Sequence, residues 1–484
     1  MWHSEIRSRA AVLALALWAA VGTARGGAAP AAVEVTPGTG SYAVVVSRTT
    51  HGDPAWRAVV DALREPHAAS VIVYPGEVAE CIAPLAKLFP RYACFVARPE
   101  EAGRPFVVAV HRLTRKLDGD PYTDVVWGIL TGYEAADALR IAQHREPLVI
   151  RRAAGGTGIN LGVFDEGVWF SEGERGVMWE KRAGGTPEKK TCPADSTKAL
   201  VDTFNEFKPQ LFVTSGHATT RDWQIGYSYR DGQFRCHKGQ LFGLDLQKKA
   251  HLVQSPNPKV YLPVGNCLIG WIPGRECMAL AFMRTAGVHQ MFGYVVPTWY
   301  GYMGWGVLDL FVGQPGRFSL AEAVYLNNQA LIHQLAARFP KHAGVDFERF
   351  DLERDRRLVG RLAAKHGVRD RDALGLLWDR DTVAFYGDPA WDARLAPRPC
   401  AWEQSLTEKG GTFTFQVVAG KEATWRRPPM ALLPWRVRGV EIIEGKELSP
   451  LIADNFLLLP APRKLEPGKR YRVVLRAERV AAQQ

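Results

Sequence analysis

The apolar positions near the start of the chain follow two different spacings. Short runs rich in β-branched and aromatic residues alternate with segments in which apolar residues recur every three or four positions. The first spacing is typical of strands and the second of amphipathic helices. Strands are therefore predicted at 42–47, 70–74 and 92–96, and helices at 54–64 and 78–89. This alternation predicts an α/β fold with a mostly parallel sheet that helices cover on both faces.

A second α/β stretch follows further along the chain. Its apolar runs predict strands at 210–214, 260–264 and 288–294, with a helix at 276–286. Ligands of open α/β sheets bind beyond the carboxyl ends of the strands. We therefore expect a functional site where these strands end.

After position 400 the pattern changes to short strands separated by Gly and Pro. Strands are predicted at 412–418, 439–443, 455–459 and 471–477. Closely spaced short strands with such breaks are typical of a small β-sandwich, and we predict one of immunoglobulin-like type.

The start of the chain has the pattern of a secretory signal. Arg7 and Arg9 precede an apolar run at 10–21, and small residues follow at 22–24. This pattern predicts a signal peptide and export to the periplasm, the cell surface or the medium. The apolar run is short for a bilayer span, and no later segment has the length of a membrane helix.

These patterns together define the predicted organisation of the chain. The predicted parts are a signal peptide at 1–26, a linker or short pro-segment at 27–40, an N-terminal α/β subdomain at 41–150, a catalytic domain at 151–399 and a β-sandwich domain at 400–484.

Composition supports a folded chain of two or three domains. The 484 residues are 47% hydrophobic and 23% charged, values that exclude a disordered protein. The net charge is +11, yet the basic residues after Cys400 are interleaved with apolar ones and form no block. We therefore expect a solvated basic face and no nucleic-acid partner.

Seven cysteines in an exported chain suggest disulfides, and their odd number leaves at least one thiol unpaired. Cys81 with Cys94 is the one pair that we predict. If the other cysteines all paired among themselves, Cys267 would be the thiol left over.

Cys267 and His217 both follow apolar strands and glycine turns. The segment 214–217 reads Thr-Ser-Gly-His, and the segment 264–267 reads Val-Gly-Asn-Cys. A neighbouring imidazole stabilises a thiolate nucleophile and then protonates the leaving amine. The two positions therefore predict a Cys-His pair at one edge of the sheet, which needs no cofactor.

The same two segments, in the same order, resemble the strand ends that carry the catalytic His and Cys of the gingipain family. That family belongs with caspases and legumain among the caspase-like cysteine peptidases. The acidic segment 117–128 resembles the one that leads into a strand of the gingipain catalytic domain. The Tyr-Gly-Asp-Pro-Ala segment at 386–390 resembles the stretch that closes that domain before its β-sandwich.

The resemblance covers about residues 40–480 and implies a caspase-like fold and a cysteine endopeptidase that acts on proteins or peptides. It also implies that the backbone N–H groups of Ala218 and Cys267 form the oxyanion hole. The family usually has Gly after the histidine, where this chain has Ala218. An inactive caspase-like scaffold with a basic binding domain is therefore the alternative hypothesis.

Gingipains cut after Arg or Lys and use an acidic residue in the primary pocket. Asp165 and Glu166 lie upstream of His217 at a suitable place in the chain, and a solvated acidic loop is the alternative interpretation. Trp299 and Trp305 follow the strand after Cys267. They are predicted either to line the substrate cleft or to fill the core beneath a helix.

Three further features bear on cofactors. Asp118, Asp120 and Asp124 offer the oxygen ligands that calcium prefers, although capping and turn roles explain them equally simply. The Gly-rich segment 155–158 lacks a nucleotide-binding motif and is predicted to be a turn. Cys236 and His237 lack the further ligands that a zinc site needs. The sequence thus predicts no required cofactor, with structural calcium as the one candidate ion.

Overall fold

The computed structural model of the protein describes residues 32–348, 356–460 and 462–480. The predicted signal peptide at 1–26 lies outside the described residues, as does the start of the predicted linker at 27–40. Residues 33–484 belong to one structural unit.

The first part of the chain alternates strands with helices, as the apolar spacing predicts. Its elements are β1 (Glu34–Thr36), β2 (Tyr42–Ser47), α1 (Arg48–Gly52), α2 (Pro54–His67), β3 (Ser70–Tyr74), α3 (Ile82–Leu88), β4 (Tyr92–Val96), α4 (Arg104–Leu113), β5 (Val126–Leu130) and α5 (Ala135–Gln143). The three predicted strands of this part match β2, β3 and β4, and each of these strands is almost wholly buried.

The middle of the chain contains more strands than the pattern predicts. Its elements are β6 (Leu148–Ile150), β7 (Arg152–Gly155), β8 (Glu166–Phe170), β9 (Val177–Lys181), β10 (Glu188–Thr191), α6 (Thr197–Asp202), β11 (Leu211–Thr214), β12 (Asp222–Gln224), β13 (Gln233–His237), β14 (Gln240–Leu244), β15 (Ala250–Leu252), β16 (Lys259–Pro263), α7 (Met278–Thr285) and β17 (Val288–Tyr294). The predicted strands here correspond to β11, β16 and β17, and the predicted helix to α7.

Helices and two strands follow before the C-terminal part. They are α8 (Tyr302–Phe311), α9 (Leu320–Arg338), α10 (Arg356–Lys365), α11 (Arg371–Arg380), β18 (Val383–Tyr386) and β19 (Ala393–Leu395). The start of α9 shows how the sequence sets a boundary. The Ser319 hydroxyl accepts from the Glu322 N–H, while the Glu322 carboxylate accepts from the Ser319 N–H, a capping box.

The C-terminal part is built from antiparallel sheets, as its short strands predict. Its strands are β20 (Glu403–Lys409), β21 (Thr412–Val418), β22 (Ala423–Thr424), β23 (Met430–Leu432), β24 (Val437–Glu444), β25 (Leu451–Ile452), β26 (Phe456–Leu458), β27 (Lys464–Leu465) and β28 (Arg470–Arg479). β20, β21, β28 and β24 form one sheet, and β23, β26 and β25 another. A second apolar core fills this part of the chain.

One large sheet organises the α/β part. Within the described residues its thirteen strands lie in the order β1-β3-β2-β4-β5-β18-β17-β16-β11-β7-β8-β9-β10. Neighbours are mostly parallel, but β17 and β18 are antiparallel. The strands β2 to β5 therefore point opposite to the strands β16, β11, β7 and β8. The carboxyl ends of β16, β11, β7 and β8 lie together at one edge.

The predicted Cys81–Cys94 disulfide is wrong, because all seven cysteines are free thiols. Both of these residues are buried, but they face different neighbours. Cys94 lies beside Tyr42 and Asp388, whereas Cys81 lies near Tyr74 and Glu80. In the described ranges, no helix has the length and apolar character needed to cross a membrane.

A buried ion cluster joins the segment after α4 to the residues just before β18. The carboxylate of Asp381 is fully buried, 2.6 Å from Arg115 Nη1 and 3.0 Å from Arg380 Nη2. Burial acts to raise the pKa of Asp381, but the two guanidinium groups outweigh it and hold that pKa well below its usual range. The charged carboxylate therefore stabilises this junction.

Replacing Asp381 by Asn removes the fully buried carboxylate beside Arg115 and Arg380, which then keep only the partly exposed carboxylate of Asp346 as a counterion. We expect Asp381→Asn to lower the free energy of unfolding by about 3–5 kcal/mol, measured by urea denaturation at pH 7. Because folding depresses the pKa of Asp381, its contribution is present above about pH 4 and is lost as the pH falls below that value. The difference between the two proteins should therefore shrink in acid.

The matched control is Asp202→Asn, which removes the same charge from the Lys198–Asp202 surface pair. That pair lies in solvent, so we expect a far smaller change in stability. Equal destabilisation by the two variants would contradict the role of the buried cluster.

Candidate functional site

His217 and Cys267 follow two strands that are neighbours in the sheet. β11 and β16 are parallel and fully buried, and their register pairs Leu211 with Val260 and Thr214 with Pro263. His217 lies three residues beyond the end of β11, and Cys267 lies four residues beyond the end of β16. The structure therefore brings the two predicted catalytic residues to the same edge of the sheet.

The side chain of Asn266 joins the two strand ends. Its Oδ1 accepts a hydrogen bond from the Thr214 hydroxyl at 2.6 Å, and its Nδ2 donates to the Gly216 carbonyl at 3.1 Å. Asn266 is completely buried, so the bond to Thr214 is shielded from water, whereas the bond to the half-buried Gly216 is shielded only in part. This amide fixes the backbone before His217 relative to the backbone before Cys267.

The Cys267 thiol is half-buried, and a hydrogen bond from the segment after the neighbouring strand β17 holds it in place. The Thr298 N–H, in the segment after β17, donates to Sγ at 3.3 Å, and the Thr298 hydroxyl donates to the Asn266 carbonyl at 2.9 Å. Burial raises the pKa of the Cys267 thiol, and the hydrogen bonds from Thr298 act in the opposite direction. The resting sulfur is therefore a thiol in a fixed position.

The His217 side chain points into solvent. It is exposed, and its imidazole stacks on Tyr227 with ring centroids 5.2 Å apart and 28° between the ring planes. Within the described part of the chain, His217 and Cys267 share no hydrogen bond. The structure brings the two residues to one edge without placing the imidazole on the thiol.

The predicted oxyanion donor Ala218 lies opposite Trp223 in a short hairpin. Two backbone bonds hold this hairpin, from the Gln224 N–H to the His217 carbonyl and from the Thr219 N–H to the Asp222 carbonyl. Neither bond uses the Ala218 N–H. Next to the second predicted donor, Leu268 has φ +61°, a left-handed conformation that follows Cys267 directly.

Asp165 and Glu166 are placed at the wrong edge for their predicted role. Glu166 begins β8 and pairs with Arg152, which begins β7. Asp165 binds Arg151 and Arg398. Four residue steps, roughly 13 Å of strand, separate Glu166 from the carboxyl end of β8. The structure therefore keeps both acids away from Cys267.

Another acid, Glu172, lies at the edge that carries Cys267. It comes two residues after β8, and its carboxylate accepts hydrogen bonds from the hydroxyl groups of Thr157 and Ser215. Ser215 directly follows β11, two residues before His217. The position of Glu172 follows from β8, but the apolar run of this strand is short, at 168–170, and comes directly after Gly167.

The two predicted tryptophans have different surroundings. Trp299 is partly buried and stacks on Trp378, with ring centroids 5.2 Å apart. Trp305 is 42% exposed on α8, where its ring lies close to Gly301. Trp299 therefore contributes to the core, as one of the two predicted alternatives has it, and Trp305 offers an exposed ring.

The acidic residues of segment 117–128 do come together. Carboxylate oxygens of Asp118, Asp120 and Asp124 lie within 4.8 Å of one another. Asp124 is buried, accepts a hydrogen bond from the Leu117 N–H, and faces Arg436 of the C-terminal part at 3.7 Å. The guanidinium group supplies positive charge at this cluster, and calcium binding stays a prediction.

Comparison of the chain with protein-family models, with curated proteins and with solved structures gives no match. The site therefore has to be interpreted from its own residues.

The role of Asn266 as a link between strand ends has a measurable consequence. Asn266→Ala removes one buried and one partly buried hydrogen bond, so we expect the free energy of unfolding to fall by roughly 1–3 kcal/mol, measured by urea denaturation. Asn205→Ala is the control, because Asn205 also makes two hydrogen bonds to the backbone but at the surface. A loss no larger than that of the control would contradict the link.

Proposed function

We propose that the protein is an exported cysteine endopeptidase in which Cys267 attacks the scissile carbonyl and His217 transfers the proton. The observation that carries the proposal is the placement of these residues beyond neighbouring parallel strands whose ends Asn266 joins. A loop position after a buried strand gives a nucleophile access to substrate, while the strand supports it rigidly.

In the proposed reaction, the Cys267 proton moves to the His217 imidazole and the thiolate sulfur bonds to the carbonyl carbon. The imidazolium then protonates the leaving amine, and water hydrolyses the thioester to release the acid and the thiol. The N–H groups of Ala218 and Cys267 are the proposed donors to the oxyanion. No metal or other cofactor takes part in this scheme.

The resemblance to gingipains supports the finer features of the proposal. We include in it a caspase-like arrangement of the α/β sheet, an immunoglobulin-like C-terminal domain and a structural calcium ion at Asp118, Asp120 and Asp124. The large parallel sheet, the antiparallel C-terminal sheets and the clustered carboxylates are the features that favour these assignments.

The nucleophile assignment predicts that Cys267→Ala abolishes cleavage of a broad peptide library, measured by mass spectrometry of the products. Cys236→Ala is the control, because Cys236 is also a half-buried free thiol. We expect this control to cleave like the wild type. Peptide cleavage retained by Cys267→Ala would contradict the proposal.

We further propose that Glu172 gives the site a preference for peptides with a basic residue at the cleavage position. Its carboxylate, at the same edge as Cys267, is suited to bind an Arg or Lys side chain of a peptide. We expect Glu172→Gln to lower kcat/KM about tenfold or more for peptides cleaved after Arg or Lys, because a hydrogen bond to a charged group is lost.

Peptides with a neutral residue at that position should respond little to Glu172→Gln. Glu174→Gln is the matched control, since Glu174 lies two residues further on and pairs with Lys189 at the surface. If basic and neutral peptides lose activity equally, Glu172 does not select the substrate.

The alternative function is an inactive caspase-like scaffold whose basic C-terminal part binds a cell-surface polymer or a protein. The exposed imidazole on Tyr227 and the raised pKa of the Cys267 thiol favour this alternative. A thiol-directed peptide electrophile discriminates the two functions. Failure to label Cys267 in the folded protein would favour the scaffold.

A further inference from the structure

The imidazole of His217 and the phenol ring of Tyr227 form an exposed pair beside the cysteine site. Tyr227 leaves 59% of its surface in solvent although its ring stacks on His217. A stacked aromatic pair shifts an equilibrium by roughly two- to tenfold. The contact is therefore strong enough to select one orientation of the imidazole and weak enough for a bound substrate to reverse.

The backbone beneath Tyr227 is held in place. Its N–H donates to the Glu172 carbonyl at 2.8 Å, which anchors it to the segment after β8. Gly226 has φ +82°, and a Cβ there would lie 2.7 Å from the Tyr229 ring. The Tyr229 hydroxyl in turn donates to the Ser171 carbonyl at 2.5 Å. The ring of Tyr227 thus stands on a fixed base.

The backbone before His217 and the sulfur of Cys267 are held in place as well. Gly216 has φ +95°, and its carbonyl is bound by Asn266. The Cys267 sulfur accepts from the Thr298 N–H. Rotation about the side-chain bonds of His217 therefore changes the position of the imidazole relative to the thiol, and the stack on Tyr227 favours one orientation at rest.

We propose that Tyr227 is a positioning residue, which holds His217 in a resting orientation off Cys267 and releases it when a substrate binds. The inference rests on the proposed Cys267–His217 pair. On release, the imidazole nitrogen takes the proton from Sγ, so that a thiol and a neutral imidazole become a thiolate and an imidazolium. The stack therefore keeps the unoccupied site in its less nucleophilic form.

The test measures alkylation of Cys267 by iodoacetamide at pH 7 in the full-length folded protein. The tryptic peptide 260–275 contains Cys267 as its one cysteine, so mass spectrometry reports this thiol separately. Tyr227→Leu removes the aromatic ring, and we expect alkylation to become roughly two- to tenfold faster. Tyr227→Phe keeps the stack, and we expect it to react like the wild type.

Adding His217→Ala to each protein separates the outcomes. The acceleration by Tyr227→Leu should disappear in the His217→Ala background, because it acts through the imidazole. No acceleration, an acceleration that persists without His217, or a Phe variant that behaves like Leu would overturn the role of Tyr227. Suppose that Tyr227→Leu gives no acceleration. If His217→Ala then leaves alkylation of the protein with Tyr227 unchanged, the Cys-His pair itself fails. If His217→Ala slows that alkylation, only the inference about Tyr227 fails.

Discussion

Parallel pairing between β11 and β16 is the constraint on which the candidate site depends. Both strands are fully buried, so their ends cannot shift without disturbing the core. Asn266 extends that rigidity two residues further by bonding to Thr214 and Gly216. The loops that carry His217 and Cys267 therefore begin from fixed points. The chemistry of the site depends on how the side chains of these two residues are oriented.

The site combines a sulfur that is held by a hydrogen bond with an imidazole that is exposed to solvent. Thr298 donates a hydrogen bond to the sulfur, and burial keeps the thiol protonated at rest by raising its pKa. His217, by contrast, is exposed to solvent and stacks on the ring of Tyr227. A buried thiol resists alkylation and oxidation better than an exposed thiolate does. An enzyme built in this way would become reactive only with a substrate in place, and a scaffold built in this way would never become reactive.

The sequence predicts several of the buried strands well, but it misses most of the short strands in the middle of the chain and the contacts between distant segments. Nearly continuous apolar runs identify β2, β3 and β4 with their bounds, because burial on both faces leaves a local signal. The bounds of β17 are predicted as well, although His289, Gln290 and Gly293 interrupt its apolar residues. β8 is short and gives little local signal, so the sequence does not show that Asp165 and Glu166 lie at its start and Glu172 beyond its end. Tyr227 meets His217 through a loop anchored at Glu172, 55 positions away, and no local pattern encodes such a contact.

β18 lies between β5, to which it is parallel, and β17, to which it is antiparallel. More than 250 positions separate β18 from β5 in the chain. The two halves of the sheet therefore meet only through a segment that leaves the ribosome late. Until then β5 and β17 each present an unpaired edge, and such edges favour mispairing. Formation of the complete sheet is thus a late, long-range step in synthesis, and β16, which leads to Cys267, lies next to the open edge strand β17 until that step is complete.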